Sequence, residues 1–413
     1  MQHTIYDDCD MDTARDVLVG APRPRDDVEV EQLCSCAGRV LAEDIVARHD
    51  MPPFDRSPLD GYAFRAADVA GASPSSPVTL RVVEEVPAGA WPTAPVGPGT
   101  AVKIMTGAPI PEGADTVMPF EVTTFAPGRV TISQPTVAGR NVVRAGEDVR
   151  RGCLVARRGD VIDAGAMGAL AAQGVERALV HARPRVGILS TGDELVPVGQ
   201  PLGPGKIHDS SRYALEGALG TMGCIPVPLG IASDDEAIIA GKIREALTSC
   251  DAVILTGGVS VGDRDRTPAA LDALGARTLV RDVALKPGGK CVYAIIDDGA
   301  RDVLLCGLSG NPVSAMTNFH LIIAPALRRL AGVARPEPTE MEVALKAPFP
   351  KGSPRSRILW GKLEIIGGRA VLDVPTWQGN AVLSCMVGCD TLALVSAGSG
   401  PLPAGERLKG WRI

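Results

Sequence analysis

Between residues 183 and 332 the chain alternates two rhythms. Short apolar runs such as RVGILS, DAVIL, CVYAII and RDVLLCGL read as strands. Between them the apolar positions fall on one helical face: Leu215, Leu219 and Met222 in SSRYALEGALGTMG, then Ile239, Ile243 and Leu247 in DDEAIIAGKIREALTSC. TPAALDALG predicts a short helix with Thr267 as N-cap and Pro268 in its first turn, and PVSAMTNFHLIIAPALRRLAG a final helix with Asn311 as N-cap and Pro312 at its first position. Strands alternating with helices predict a mainly parallel, doubly wound α/β sheet.

The flanks follow other patterns. Residues 1 to about 48 read as helical, with Val28, Leu33, Val40 and Leu41 at roughly helical spacing and Gly38 interrupting. From RHDMPPFDRSPLDGYAF to about residue 145, short alternations such as VTLRVVEEV and GRVTISQP between Pro/Gly turns predict a β-rich unit. Residues 146–181 return to a mixed segment in which Asp163 is placed to cap a helix, and VARPEPTE after Gly332 reads as a linker. The runs ILWGKLEII, AVLDVP and TLALVSA beyond it predict a small β-barrel or sandwich. The expected division is therefore 1–50 with 146–181 as a two-segment linking domain, 51–145 as an inserted β-rich domain, 182–332 as the α/β domain and 333–413 as a C-terminal β domain.

Composition narrows the function classes. With 45% hydrophobic and 22% charged residues the 413-residue chain is ordinary for a globular protein of two to four domains, and Gly 47 with Pro 34 fits many tight turns. Aromatic residues are scarce at 3% and the net charge is −6, so neither stacking platforms nor a basic stripe for nucleic acid is expected. No apolar stretch approaches a membrane span and MQHTIYDDCDMD lacks a signal pattern, so a cytoplasmic protein without membrane contact is expected. Ten cysteines occur without a CxxC pair, which favours buried thiols over zinc.

Three strand exits carry unusual turns. RVGILSTGDEL ends on Thr191-Gly192-Asp193-Glu194; DAVILTGGVSVGDRDRT ends on Thr256-Gly257-Gly258, then Asp263 and Asp265; DVLLCGLSGNPVS ends on Gly307, Ser309-Gly310-Asn311 and a helix start. In an open parallel sheet these belong on one rim. Glycines there let backbone N–H groups approach a phosphate, and carboxylates on the same rim would repel that anion unless a divalent cation lay between them. Oxygen ligands beside a phosphate point to Mg2+.

Taken together, PPFDRSPLDGYAF, AVKIMTGAPIPEGADTVMPFE, GRNVVRAGEDVRRG, RPRVGILSTGDEL, KIHDSS, DAVILTGGVSVGDRDRT, ALKPGG and GLSGNPVSAM, in that order, resemble the molybdopterin molybdenumtransferases, the MoeA family, which includes the gephyrin E domain. The resemblance implies a four-domain homodimer that uses adenylated molybdopterin and molybdate, releases AMP with the help of Mg2+, and has a site shared between subunits. Carried over by position, it implies metal or molybdate ligands at Asp193, Glu194, Asp209, Asp263 and Asp265. Substrate contacts are implied at Gly257, Gly258, Ser260, Lys286, Lys290, Ser309, Gly310 and Asn311. Catalytic roles are implied for Asp60, Thr106, Asp148, Glu194 and Asp265, with Asp60, Thr106 and Asp148 reaching in from the partner subunit. A molybdopterin adenylyltransferase is implied as a partner protein.

The chain departs from the family pattern at Ser309, where proline is usual, and at Asp282 and Asn380. It also departs at Gly289, where lysine is usual, so that Lys290 comes one position late. A flexible Gly288-Gly289 would let Lys290 turn back to the rim; strand alternation would point it to solvent. Two alternatives stand beside the insertase: a pterin-binding scaffold without catalysis, and a molybdopterin adenylyltransferase.

Overall fold

The computed structural model describes residues 4–23, 25–259, 266–299 and 301–413. Its largest sheet has seven strands between helical layers. In chain order these elements are β1 Tyr6–Cys9, α1 Met11–Gly20, β2 Arg185–Thr191, α2 Ser210–Thr221, β3 Ile225–Ala232, α3 Glu236–Leu247, β4 Ala252–Thr256, α4 Thr267–Ala273, β5 Arg277–Val283, β6 Cys291–Asp297, β7 Asp302–Leu308, α5 Pro312–Asn318 and α6 Ala324–Leu330. The spatial order is β1-β5-β6-β7-β4-β2-β3. β1 with β5, and β7, β4, β2 and β3 in succession, pair in parallel; β6 runs antiparallel to both its neighbours.

Alternation along the central strands explains the two helical layers. Ala252 and Ile254 of β4 join the core formed with α1, α2 and α5, while Val253 and Leu255 face α3 and α4. A strand covered on both faces needs the near-continuous apolar runs seen here. Asp163 caps its helix as the sequence predicts, accepting from Ala166 N at 2.8 Å, and Asp235 caps α3 by accepting from Ile238 N at 3.0 Å.

The first fifty residues differ from expectation. Tyr6–Cys9 is an edge strand of the large sheet, with Asp7 beside Arg281 and Cys9 beside Val283. Met11, Ala14 and Leu18 of α1 are buried in the α/β core, so only the part from Val28 onward joins the linking unit. Val28–Gln32 is a strand antiparallel to Arg177–His181, not a helix. Its sequence VEVEQ has period two; the apparent helical spacing came from apolar residues that belong to separate elements. Strand Ile45–Val46 likewise pairs with Leu154–Ala156.

The inserted unit is a six-stranded sheet built from strands between Gly61 and Ile132. In the C-terminal unit, strands Glu340–Leu345, Ser356–Ile366, Arg369–Asp373, Thr391–Val395 and Arg407–Arg412 close into a five-stranded barrel. A sixth, two-residue strand on that barrel comes from the α/β segment: Leu285–Lys286 pairs with Ser356 and Arg357. No helix among the described residues is long and apolar enough to cross a membrane.

Candidate active site

From β2 the chain passes to β3 on one side and then crosses to β4 on the other. The carboxyl ends of β2 and β4 therefore flank a topological switch point, where ligands bind in open α/β sheets. The three glycine-bearing exits meet there. Gly257 N donates to Leu308 O at 2.8 Å, and a Cβ built on Gly310 would lie 3.7 Å from Gly257 Cα. Gly257 itself has φ +101°, and a Cβ there would lie 2.4 Å from Thr191 O. Only glycine allows that closure.

Thr267 braces this turn and is not the cap that the sequence predicts. It is the buried first residue of α4, while Arg266 holds the N-cap position without a side-chain bond. Its hydroxyl donates to Gly257 O at 3.2 Å, and its backbone N–H to Gly258 O at 3.1 Å. Threonine therefore suits this position for the sake of the glycine loop.

The acidic residues fall into three groups. Asp193 and Glu194 are exposed just beyond β2, with the Lys206 ammonium on the Asp193 carbonyl. Asp209 is buried and caps α2 by accepting from Arg212 N at 3.2 Å; its Oδ2 has no partner among the described residues, and it lines a cavity of about 310 Å³ with Leu195, Tyr213 and Ile231. Ser260, Asp263 and Asp265 lie outside the described residues. Among the described residues no three His, Cys, Asp or Glu side chains form a metal cage. Mg2+ needs less, namely one or two carboxylates plus the oxygens of a bound phosphate, and the hard oxygens of Asp193 and Glu194 fit it.

Ser309, Gly310 and Asn311 lead from β7 into α5, where Asn311 N donates to Ser309 Oγ at 3.3 Å. Asn311 caps through its backbone alone, Ala315 N donating to its carbonyl at 3.0 Å. The C-terminal unit reaches the same place, since Val313 N donates to Asn380 O at 3.2 Å. Nearby in sequence, Trp377 is 79% exposed.

The Lys286–Lys290 turn is held firmly. Asn318, fully buried in α5, donates to Gly288 O at 2.7 Å and accepts from Tyr293 OH at 2.9 Å. Val283 N donates to Gly289 O at 2.9 Å. The expected freedom of Gly288-Gly289 is therefore absent, and the Lys290 ammonium pairs with the Asp282 carboxylate. Lys286 is exposed and has no ion pair among the described residues. Asn318 and Tyr293 escaped sequence reasoning. The available signal was an asparagine at the end of PVSAMTN, a helix whose residues are otherwise apolar or small hydroxyl-bearing.

Asp60 and Thr106 sit together in the inserted unit. Thr106 donates its N–H at 2.6 Å and its hydroxyl at 2.8 Å to one Asp60 oxygen. The backbone bond first, then the hydroxyl, holds the Asp60 carboxyl below the usual aspartate range. Asp148 is exposed, its N–H donating to Met51 O at 3.0 Å. Among the described residues, no hydrogen bond or ion pair links 51–145 to 182–332. One chain thus carries two separate sets of candidate residues.

Comparison with known proteins supplies an independent line. Residues 9–174 match the family described as "MoeA N-terminal region (domain I and II)", and residues 187–329 that described as "Probable molybdopterin binding domain". A protein of Bacillus subtilis (strain 168) named molybdopterin molybdenumtransferase is 39% identical over 78% of this chain and 75% of its own length. One of the same name from Nostoc sp. is 35% identical over 86% and 82%. The crystal structure of the molybdopterin biosynthesis moeA protein from Pyrococcus horikoshii OT3 superposes with TM-score 0.83 at 29% identity, covering 98% of this chain and 100% of that one.

Proposed function

Because the chain belongs to the MoeA family of molybdopterin molybdenumtransferases, we propose that it transfers molybdenum from molybdate to adenylated molybdopterin, releasing AMP, in molybdenum cofactor biosynthesis. The observation that carries this reading is the meeting of Thr191, Gly257 and Gly310 at the switch point, where three glycine-bearing strand exits close together beside the exposed Asp193 and Glu194.

In this reading the Gly257-Gly258 turn and the segment Ser309–Asn311 seat the substrate, and Lys286 neutralises phosphate. Asp193 and Glu194 would hold Mg2+ together with the substrate's own oxygens. When bound, that ion offsets the charge of the departing phosphate. Asp60, Thr106 and Asp148 belong to the site of the other subunit in a homodimer, a placement supported by their separation from the rim within one chain. A molybdopterin adenylyltransferase would supply the adenylated substrate.

The test is AMP release from adenylated molybdopterin with molybdate and Mg2+. Stoichiometric AMP and a molybdenum-loaded product support the reading. Binding of the substrate without AMP release would instead make the protein a scaffold, and adenylation of unmodified molybdopterin would make it an adenylyltransferase.

A further inference from the structure

A cavity of about 760 Å³ opens at the amino end of the sheet, opposite the rim described above. Arg183, just before β2, and Cys224, just before β3, form part of its wall. Gly38 and Val161 of the linking unit form another part, and α6, the linker and the last barrel strand contribute Arg328, Arg335 and Arg412. Three units of the fold thus enclose one space of the size that binds small molecules.

We propose that this cavity is a second binding site, specific for a small polyanion carrying phosphate or carboxylate groups. Four arginines line it against one carboxylate side chain, Glu337. Arg412 lies 3.3 Å from Asp390, but Arg183, Arg328 and Arg335 have no ion pair among the described residues. Arg328 is the telling member. Its guanidinium is largely buried, which lowers its pKa, and its one hydrogen bond is a 3.5 Å contact with Pro336 O. A guanidinium only partly exposed and without a counter-charge is stabilised by an anion brought beside it in the cavity. Burial and then Asp251 push the Cys224 thiol up to about 12 against the pull of Arg328 and Arg183, which places both cations near it; Asp251 is itself paired with Arg25 and Arg301. His320 in the same wall is held neutral by burial and by Arg328, with its pKa near 4, so the arginines alone supply the positive charge at neutral pH.

Calorimetric titration of the whole protein with pyrophosphate and, separately, with citrate tests this; the preferred probe tells phosphate from carboxylate recognition. The expected result is one site per chain for at least one probe, a Tm that rises with probe concentration, and affinity reduced about tenfold or more in Arg328→Gln and in Arg183→Gln. Lys286→Ala, at the opposite end of the sheet, should bind the probe as the parent does. If circular dichroism shows that Arg328→Gln has lost its fold, Arg183→Gln decides alone. No binding of either probe, binding that survives the arginine changes, or binding lost in Lys286→Ala overturns the proposal.

Discussion

The Lys290 ammonium is held by the carboxylate of Asp282, so a lysine and an aspartate eight residues apart clamp the two ends of one turn. The sequence reads both positions as departures from the family's pattern, and in the structure their charges satisfy each other. The Asp282 carboxylate also lies 3.4 Å from Cys291 N.

This pairing sets the expected ranking of two lysines. Lys286→Ala should weaken substrate binding about tenfold or more, by loss of a charge-assisted contact to phosphate. Lys290→Ala should change affinity by no more than about twofold. Its side chain is 44% exposed, so loss of the pair should cost only about 0–1 kcal/mol of stability. Moving the lysine back by Gly289→Lys will not help, because a Cβ there would lie 2.8 Å from Leu285 O. That variant is expected to lose about 1–3 kcal/mol in denaturant melts. Equal affinity losses in the two alanine variants would contradict this ranking.

Asn318→Leu should do more damage than its distance from substrate suggests. It leaves Tyr293 OH and Gly288 O without their buried partner, a cost of about 1–3 kcal/mol for each group stranded. It also frees the turn that presents Lys286, so KM should rise while kcat changes less. Tyr293→Phe strands one buried acceptor, Asn318 Oδ1, and should cost about 1–3 kcal/mol with KM nearly intact. Chemical denaturation and steady-state kinetics on the same samples separate the two effects.

Thr106→Val keeps the backbone bond to Asp60 and removes the hydroxyl, so the Asp60 carboxyl should titrate closer to the ordinary aspartate value. A depressed carboxyl gives stability that is present above its unfolded pKa and lost as pH falls through its folded one. The window for Asp60 therefore lies at and below the usual aspartate range. Carbon-detected carboxyl titration reads the change. Mixing Asp60→Ala chains with Lys286→Ala chains should restore part of the activity, because a heterodimer would contain one intact shared site. Heterodimers that form and stay inactive would rule out that sharing.

His320 packs edge-on against Trp360, with ring centres 5.7 Å apart, and burial lowers its pKa to about 4. An unfolded histidine titrates near 6.5, so the unfolded state binds more protons between the two values. Stability should accordingly fall as pH drops from about 6.5 to 4, by roughly 3 kcal/mol for this group. His320→Phe should flatten that part of the pH–stability curve.

Much of this is legible in the sequence. The α/β segment announced itself because central strands and their helices need different apolar periods. The rim was legible because strand exits carry glycines and acids together. Val28–Gln32 was misread because alternation over five residues is easily absorbed into a longer helical count. Thr267 was misread because threonine before proline is a common helix start, and only the fold shows Gly257 O within reach of its hydroxyl. The Asn318 network joins residues 25 and 30 positions apart, and no local pattern encodes a contact at that range.

The two-residue strand Leu285–Lys286 gives the C-terminal barrel a hold on chemistry that it does not itself perform. Lys286 sits in register with Arg357, so its backbone is shared between two bodies. A shift of the barrel therefore drags Lys286 with it, as a rudder follows its tiller. Selection for tighter or looser substrate grip can consequently act on barrel loops such as Ile366–Arg369, which joins the strand paired with Lys286 to its neighbour.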